Sequence, residues 1–348
     1  VRRGERVTRE EGIYLFESPD LFSIGEMAAG VCERKNGDRA YFIINRHINP
    51  TNICVNRCKF CAFSKSKGEE LAYEMTMDEV VERTEEAVRQ GATEIHLVGG
   101  LHPDWPFEWY LEMLREIKKI APDMHIQGFT AVEIDYFSKI SGLTLEKVLE
   151  RLIDAGLGSM PGGGAEIFAS EVRDRICPEK ISGERWLEVM RVAHRVGLRS
   201  NATMLYGHIE GVEHRVDHLI SLRELQDETG GFQAFIPLAF HPKNTEINKG
   251  YTSGIDDLKT LAVSRIILDN FDHIKAFWIM VGEKIAQLSL LFGVDDIDGT
   301  VVEEKITHAA GAKTGEHLSV DEIVALIKQV GKVPVQRDTL YNVVRIWN

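Results

Sequence analysis

Cys54, Cys58 and Cys61 fall in the run Asn52-Ile53-Cys54-Val55-Asn56-Arg57-Cys58-Lys59-Phe60-Cys61-Ala62-Phe63, a C-x3-C-x2-C spacing. Three thiolates on so short a loop can wrap one face of a cubane iron–sulfur cluster. The fourth iron is then left without a protein ligand, whereas an electron-carrier cluster or a structural zinc takes a fourth. An open position on iron is a place for chemistry. The competing assignment is a zinc knuckle completed by a histidine such as His47, but zinc motifs more often pair C-x2-C units than use this asymmetric spacing. Cys32 and Cys177 lie far from the triplet, and 5 cysteines in 348 residues make no disulfide framework. Both read as buried thiols.

Other residues with chemical potential sit where short apolar runs end. Gly99-Gly100 lets backbone approach a ligand closely, or simply makes a tight turn. Pro161-Gly162-Gly163-Gly164-Ala165-Glu166 offers backbone amides and one carboxylate. Asn201, Thr203 and Leu205 share one face of an alternating run. Ile209, His102 and His241 follow such runs, and each has an ordinary packing role as its alternative. Arg173 and Lys180 flank Cys177 and could hold carboxylates, Arg through its bidentate fork. Glu303-Glu304-Lys305 follows the last run.

The elements that must carry these residues alternate in type. Strands are predicted at 41–45, 94–98, 125–129, 157–160, 199–205, 232–239, 274–280 and 296–301. Helices are predicted at about 76–90, 107–120, 144–155, 182–196, 212–228, 255–270, 282–292 and 319–330. Capping boxes Thr76-x-x-Glu79 and Ser319-x-x-Glu322 open the first and last helices. Eight βα units close most simply into an α/β (β/α)8 barrel, with the site at the C-terminal ends of the strands. A doubly wound sheet would carry a Gly-rich phosphate turn after its first strand, and here three cysteines stand in that place. The predicted organisation is a helical cap over residues 1–40, the barrel over 41–331 and a tail over 332–348 packed on one end.

Composition narrows the class further. A net charge of -13 with no basic block disfavours a general grip on nucleic acid, while leaving room for an anionic small substrate. No run approaches the roughly 18 apolar residues of a membrane span, and the charged start has no apolar stretch behind it. The expectation is a cytoplasmic enzyme, with no membrane partner.

With Phe60 between the last two cysteines, the C-x3-C-x-aromatic-C loop after the first strand resembles that of the radical S-adenosylmethionine superfamily. The resemblance implies a [4Fe-4S] cluster on Cys54, Cys58 and Cys61, whose open iron chelates S-adenosylmethionine. One electron then cleaves the sulfonium to methionine and a 5′-deoxyadenosyl radical. It also implies S-adenosylmethionine contacts at Phe60, Gly99 and Gly100 (the methionine amino group), Glu166 (the ribose hydroxyls) and Ile209 (the adenine).

A longer stretch, His47 to Lys65, is similar to the aminofutalosine synthase family of menaquinone biosynthesis. So are HLVGGLHPDWPF from His96, PGGGAEIF from Pro161, ICPEKISGERW from Ile176, SNATMLYGHIE from Ser200, GGFQAFIPLAFHP from Gly230 and DGTVVEEKI from Asp298. Dehypoxanthine futalosine cyclase and the deazaflavin (F420 precursor) synthases share Phe60-Cys61-Ala62-Phe63. His-Ile-Asn-Pro-Thr-Asn before Cys54 and Ser64-Lys65 after the signature favour the synthase. The resemblance implies a transferase that adds the deoxyadenosyl radical to 3-[(1-carboxyvinyl)oxy]benzoate. Rearrangement and loss of a carboxylate would give 6-amino-6-deoxyfutalosine, with S-adenosylmethionine consumed as co-substrate and flavodoxin or ferredoxin as electron donor. The cyclase and deazaflavin alternatives abstract hydrogen instead. Candidate substrate contacts are Asn201, Thr203, His241 and Arg173, within aromatic walls drawn from Phe60, Phe63, Phe129, Phe235 and Trp278. No acid–base pair is nominated.

Overall fold

The computed structural model describes residues 4–315 and 317–347. Among them the strands are β1 (Arg39–Ile43), β2 (Asn45–Ile48), β3 (Glu94–Leu97), β4 (His125–Gly128), β5 (Ser159–Met160), β6 (Arg199–Tyr206), β7 (Phe232–Ala239), β8 (His273–Ile274), β9 (Asp296–Gly299), β10 (Val333–Arg337) and β11 (Val343–Ile346). β2 to β8 form one parallel sheet in sequence order. β9 pairs parallel with β1 through Tyr41↔Asp296 and Ile43↔Gly299, and single bridges Lys275↔Asp296 and Arg46↔Val302 close the ring. Since β1 runs on into β2, eight parallel staves result, as the alternation of runs predicts.

Helices cover the outside because their sequences carry one apolar stripe. Phe107–Ile120 buries Leu111, Leu114 and Ile117, and Leu145–Asp154 buries Leu145, Val148, Leu149 and Leu152. Each such side chain contributes roughly 1.5–3 kcal/mol when fully buried. Thr76 and Ser319 form the expected capping boxes with Glu79 and Glu322. Two helices, Arg9–Glu17 and Leu21–Asn36, precede β1 and pack on helices Val212–Thr229 and Gly254–Ile267.

Several features depart from the predicted elements, among them the short helices Ser170–Ile176 and Ile306–Ala309, which stand where no helix is predicted. The apolar run 274–280 is strand only as far as Ile274, and Trp278–Val281 is a helical turn whose Trp278 Nε1 donates to the Gly299 carbonyl at 2.9 Å. A short apolar run does not by itself distinguish strand from buried helix. Helix Ala131–Ser141 was not predicted, although Thr130-x-x-Glu133 is a capping box like the other two. After residue 332 the chain forms β10, parallel to β1, and β11, antiparallel to β10.

The barrel interior is polar along one register row. His47, His96, Gln127 and Ser159 are successive neighbours across β2, β3, β4 and β5. Barrels of this kind ordinarily fill that space with branched aliphatic side chains. A polar row therefore marks the floor of a ligand cavity.

Candidate active site

The cysteine loop leaves β2 and is held by the side chains that precede it. Asn49 Nδ2 donates to the Val98 carbonyl at 2.8 Å, Thr51 Oγ1 to that of Tyr73 at 2.7 Å, and Asn52 Nδ2 to that of Leu71 at 2.8 Å. Cys54 N–H bonds the Lys65 carbonyl and Cys61 N–H the Cys58 carbonyl, both at 3.0 Å, so the triplet is folded back on itself. Gly100 packs on this loop: a Cβ there would stand 2.2 Å from the Ile53 carbonyl oxygen. Its glycine is required by the close approach of two backbones.

All three cysteines line one cavity of about 310 Å3 at the C-terminal ends of the strands. That is the lower range of small-molecule sites. The donor set fits an iron–sulfur cluster: three thiols on one loop facing one space, with no fourth cysteine lining it. Burial pushes the Cys54 thiol up and the Cys58 thiol to about 12, so both are neutral until metal arrives and takes their protons' place.

Phe60, Gly99, Gly100 and Glu166 line the same cavity. Glu166 Oε1 lies 2.5 Å from Lys180 Nζ, and Lys180 stands 5.0 Å from the Phe60 ring centroid. Burial works against the Lys180 charge, but the Glu166 carboxylate outweighs it and raises its pKa. Glu166 has φ 48 and Asp298 φ 70, a left-handed backbone that non-glycine residues adopt rarely and at a cost. Both are cavity residues at strand ends, where such strain is commonly kept for function.

Of the candidate substrate contacts, Thr203 and His241 line the cavity. Thr203 Oγ1 donates to the Gly162 carbonyl at 2.8 Å; His241 Nε2 lies 2.9 Å from the Met280 carbonyl, and its buried Nδ1 has no partner among the described residues. Arg173 does not reach the cavity. Its guanidinium is buried and committed to the carbonyls of Ala165, Ile167 and Ile181, so it braces the segment carrying Glu166 instead of meeting a carboxylate. Asn201 is buried beneath the cavity with Nδ2 3.4 Å from Gln127 Oε1, and Ile209 packs against the core, away from the cavity lining. Phe60 and Phe63 are walls as expected, but Phe240 and Phe277 replace Phe129, Phe235 and Trp278, which pack elsewhere.

Several lining residues were not anticipated. Glu133 accepts from Thr130 N–H at 2.7 Å and from Gly99 N–H at 3.3 Å, and burial pushes its carboxyl up to about 7. Its capping-box position was the available signal. Glu94, His96, Lys275 and Asp298 line the floor. A lysine inside the apolar run Ile274–Met280 was the signal for Lys275.

Residues 48–222 match the Radical SAM superfamily, and residues 229–348 match the CofH/MqnC C-terminal region. The chain belongs to the radical S-adenosylmethionine superfamily. As an enzyme of that superfamily it uses a [4Fe-4S] cluster and S-adenosylmethionine. It is 47% identical to an aminodeoxyfutalosine synthase of Thermus thermophilus, over 100% of this chain and 95% of that protein. It is also 45% identical to a 5-amino-6-(D-ribitylamino)uracil–L-tyrosine 4-hydroxyphenyl transferase of Methanopyrus kandleri, over 89% of this chain and 86% of that protein. Among solved structures, methylornithine synthase (PylB) superposes with TM-score 0.75 at 17% identity, covering 95% of each chain. The hydrogenase maturase HydG of Carboxydothermus hydrogenoformans superposes with TM-score 0.76 at 19% identity, over 98% of this chain and 78% of that one. These two likenesses show the radical S-adenosylmethionine fold. No helix among the described residues is long and apolar enough to cross a membrane.

Proposed function

We propose that this radical S-adenosylmethionine enzyme is an aminodeoxyfutalosine (aminofutalosine) synthase acting on 3-[(1-carboxyvinyl)oxy]benzoate. The observation that carries the reading is the 47% identity to the Thermus thermophilus synthase across the whole chain. The His47–Lys65 text, whose asparagines and threonine brace the cysteine loop, supports it. Cys54, Cys58 and Cys61 hold the cluster, which when bound supplies the electron that cleaves S-adenosylmethionine. Phe60, Gly99, Gly100 and Glu166 form the S-adenosylmethionine side of the cavity. Phe240, Phe277, Ile236 and Leu238 supply apolar walls that exclude water and hold the alkene near the radical carbon. The radical carbon would form a bond to the terminal vinyl carbon, and the aryl group would pass from the ether oxygen to the neighbouring carbon as the aryl–oxygen bond breaks. The carboxylate would leave as carbon dioxide, with the odd electron returned to the oxidised cluster so that a ketone remains. The electron comes from a flavodoxin or ferredoxin.

The 45% identity to the Methanopyrus kandleri protein favours a second reading, a transferase joining a tyrosine-derived group to an aminouracil. Anaerobically reconstituted protein given S-adenosylmethionine and either the enol ether, or tyrosine with the ribitylaminouracil, separates them by mass spectrometry. An adenosyl–substrate adduct from the enol ether is expected. Free 5′-deoxyadenosine with an aryl-transfer product, and no adduct, would sink the synthase reading.

A further inference from the structure

The deepest part of the cavity is unusually polar for a barrel interior. Glu94, His47, His96, Gln127, Lys275 and Asp298 all face it, and all but His96 are buried. Burying polar groups costs free energy unless they find partners. This floor is incompletely partnered: Lys275 Nζ has Asp298 Oδ1 at 3.3 Å as its hydrogen-bond partner, although an ammonium carries three donors. The His47 ring stacks on His96 at 4.4 Å and lies parallel to Phe277 at 6.4 Å, with no ring hydrogen bond among the described residues. Burial, with His96 and Lys275 adding, holds His47 well below the usual imidazole range, so it is a neutral ring with one N–H to give.

The cavity's lysines are Lys180, already held by Glu166 at 2.5 Å beside the cysteine loop, and Lys275 at the opposite depth. Apolar walls from Phe277 and Ile236 adjoin the second. An aromatic ring with an anionic substituent suits this combination of a slot and a buried ammonium. We propose that Lys275, with His47 and His96 beside it, seats the carboxylate on the aromatic ring of the substrate, the one the reaction retains. This rests on the functional reading above, which supplies a benzoate.

The floor also holds two carboxyl groups, and charge must balance. Asp298 is pushed up by burial, with Lys275 and Arg337 pulling the other way and Asp296 and Glu94 adding to the push. Of the floor's carboxyl groups it is the one whose charge burial disfavours on balance. Lys275 then exchanges an internal partner for the substrate's.

Calorimetric titration of the cluster-reconstituted protein with 3-hydroxybenzoate and 3-hydroxybenzamide tests the seat without turnover. The wild type should prefer the benzoate by about tenfold or more, the scale of one buried charge-assisted contact. Lys275→Met should lose that preference while binding as much iron per chain after reconstitution as the wild type, which reports an intact cluster. Asp298→Asn, which removes the competing carboxylate, should keep or increase the preference, and it serves should Lys275→Met not fold. Equal binding of both probes by the wild type, a preference that survives Lys275→Met, or one abolished by Asp298→Asn overturns the proposal. A benzoate preference without an adduct from the enol ether would instead overturn the functional reading and leave the seat standing.

Discussion

A single added methyl group tests how the cysteine loop is held. Ala at position 100 would bring a Cβ to 2.2 Å from the Ile53 carbonyl, whereas at position 99 the nearest contact is the Thr51 carbonyl at 3.2 Å. Gly100→Ala must therefore displace the loop one residue before Cys54, at the ~1–3 kcal/mol typical of overpacking. Iron bound per chain after reconstitution should drop severalfold in Gly100→Ala and much less in Gly99→Ala. Equal iron content in both would refute the close-packing account. At this scale the sequence brought together what is local in the chain: the triplet, Phe60 and the glycine pair all line the one cavity. Glu94, His96, Lys275 and Asp298 were not assembled, because they meet only across strands far apart in sequence. Arg173 was misjudged because nothing in its neighbourhood announced that three backbone carbonyls would consume its guanidinium.

Elements decide what covers the site. Ile306–Ala309 is a single helical turn whose Ile306 and Thr307 line the cavity. Glu304 caps it, accepting from Thr307 N–H at 2.9 Å, and meets His308 Nδ1 at 3.1 Å. That hydrogen bond to Glu304 raises His308 to about 9, against partial burial. Because the folded pKa exceeds the ordinary value near 6.5, this contribution is complete below about pH 6.5 and is lost as pH rises through about 9. Hydrogen exchange of residues 304–310 should accelerate across that window beyond the intrinsic base-catalysed rise, and the excess should vanish in His308→Gln. A wild-type excess identical to the variant's would dismiss the ion pair as the latch. This turn escaped sequence reading because four residues carry too little periodicity. Helix Ala131–Ser141 escaped because it stands between a strand and another helix, where the alternating βα pattern leaves no place for it.

The whole molecule depends on how its seam is shut. β9 meets β8 through one bridge, Lys275↔Asp296, and the other side of β1 is taken by β10. Arg337, on β10, reaches across to Asp296 with Nε at 2.6 Å from Oδ2, and both side chains are almost fully buried. Burial works against the Asp296 charge, yet Arg337 and Lys275 hold it below the usual carboxylate range. Tyr341 adds a lid, its ring 4.2 Å from the Arg337 guanidinium and stacked on His273 of β8 at 3.6 Å. The last strands thus clamp both strands that flank the seam. Removing one partner of a buried pair leaves an uncompensated charge and costs ~3–5 kcal/mol, whereas replacing both with apolar groups of similar volume is often neutral. Arg337→Met should accordingly lower the unfolding free energy in denaturant by that amount, and Asp296→Leu combined with Arg337→Met should recover much of it. If the double variant instead falls by the sum of the two single losses, the pair acts independently and the clamp is not electrostatic. Because Asp296 neighbours Lys275 and Asp298 on the floor of the cavity, the single variant should also weaken substrate binding, which ties closure of the barrel to the chemistry at its mouth.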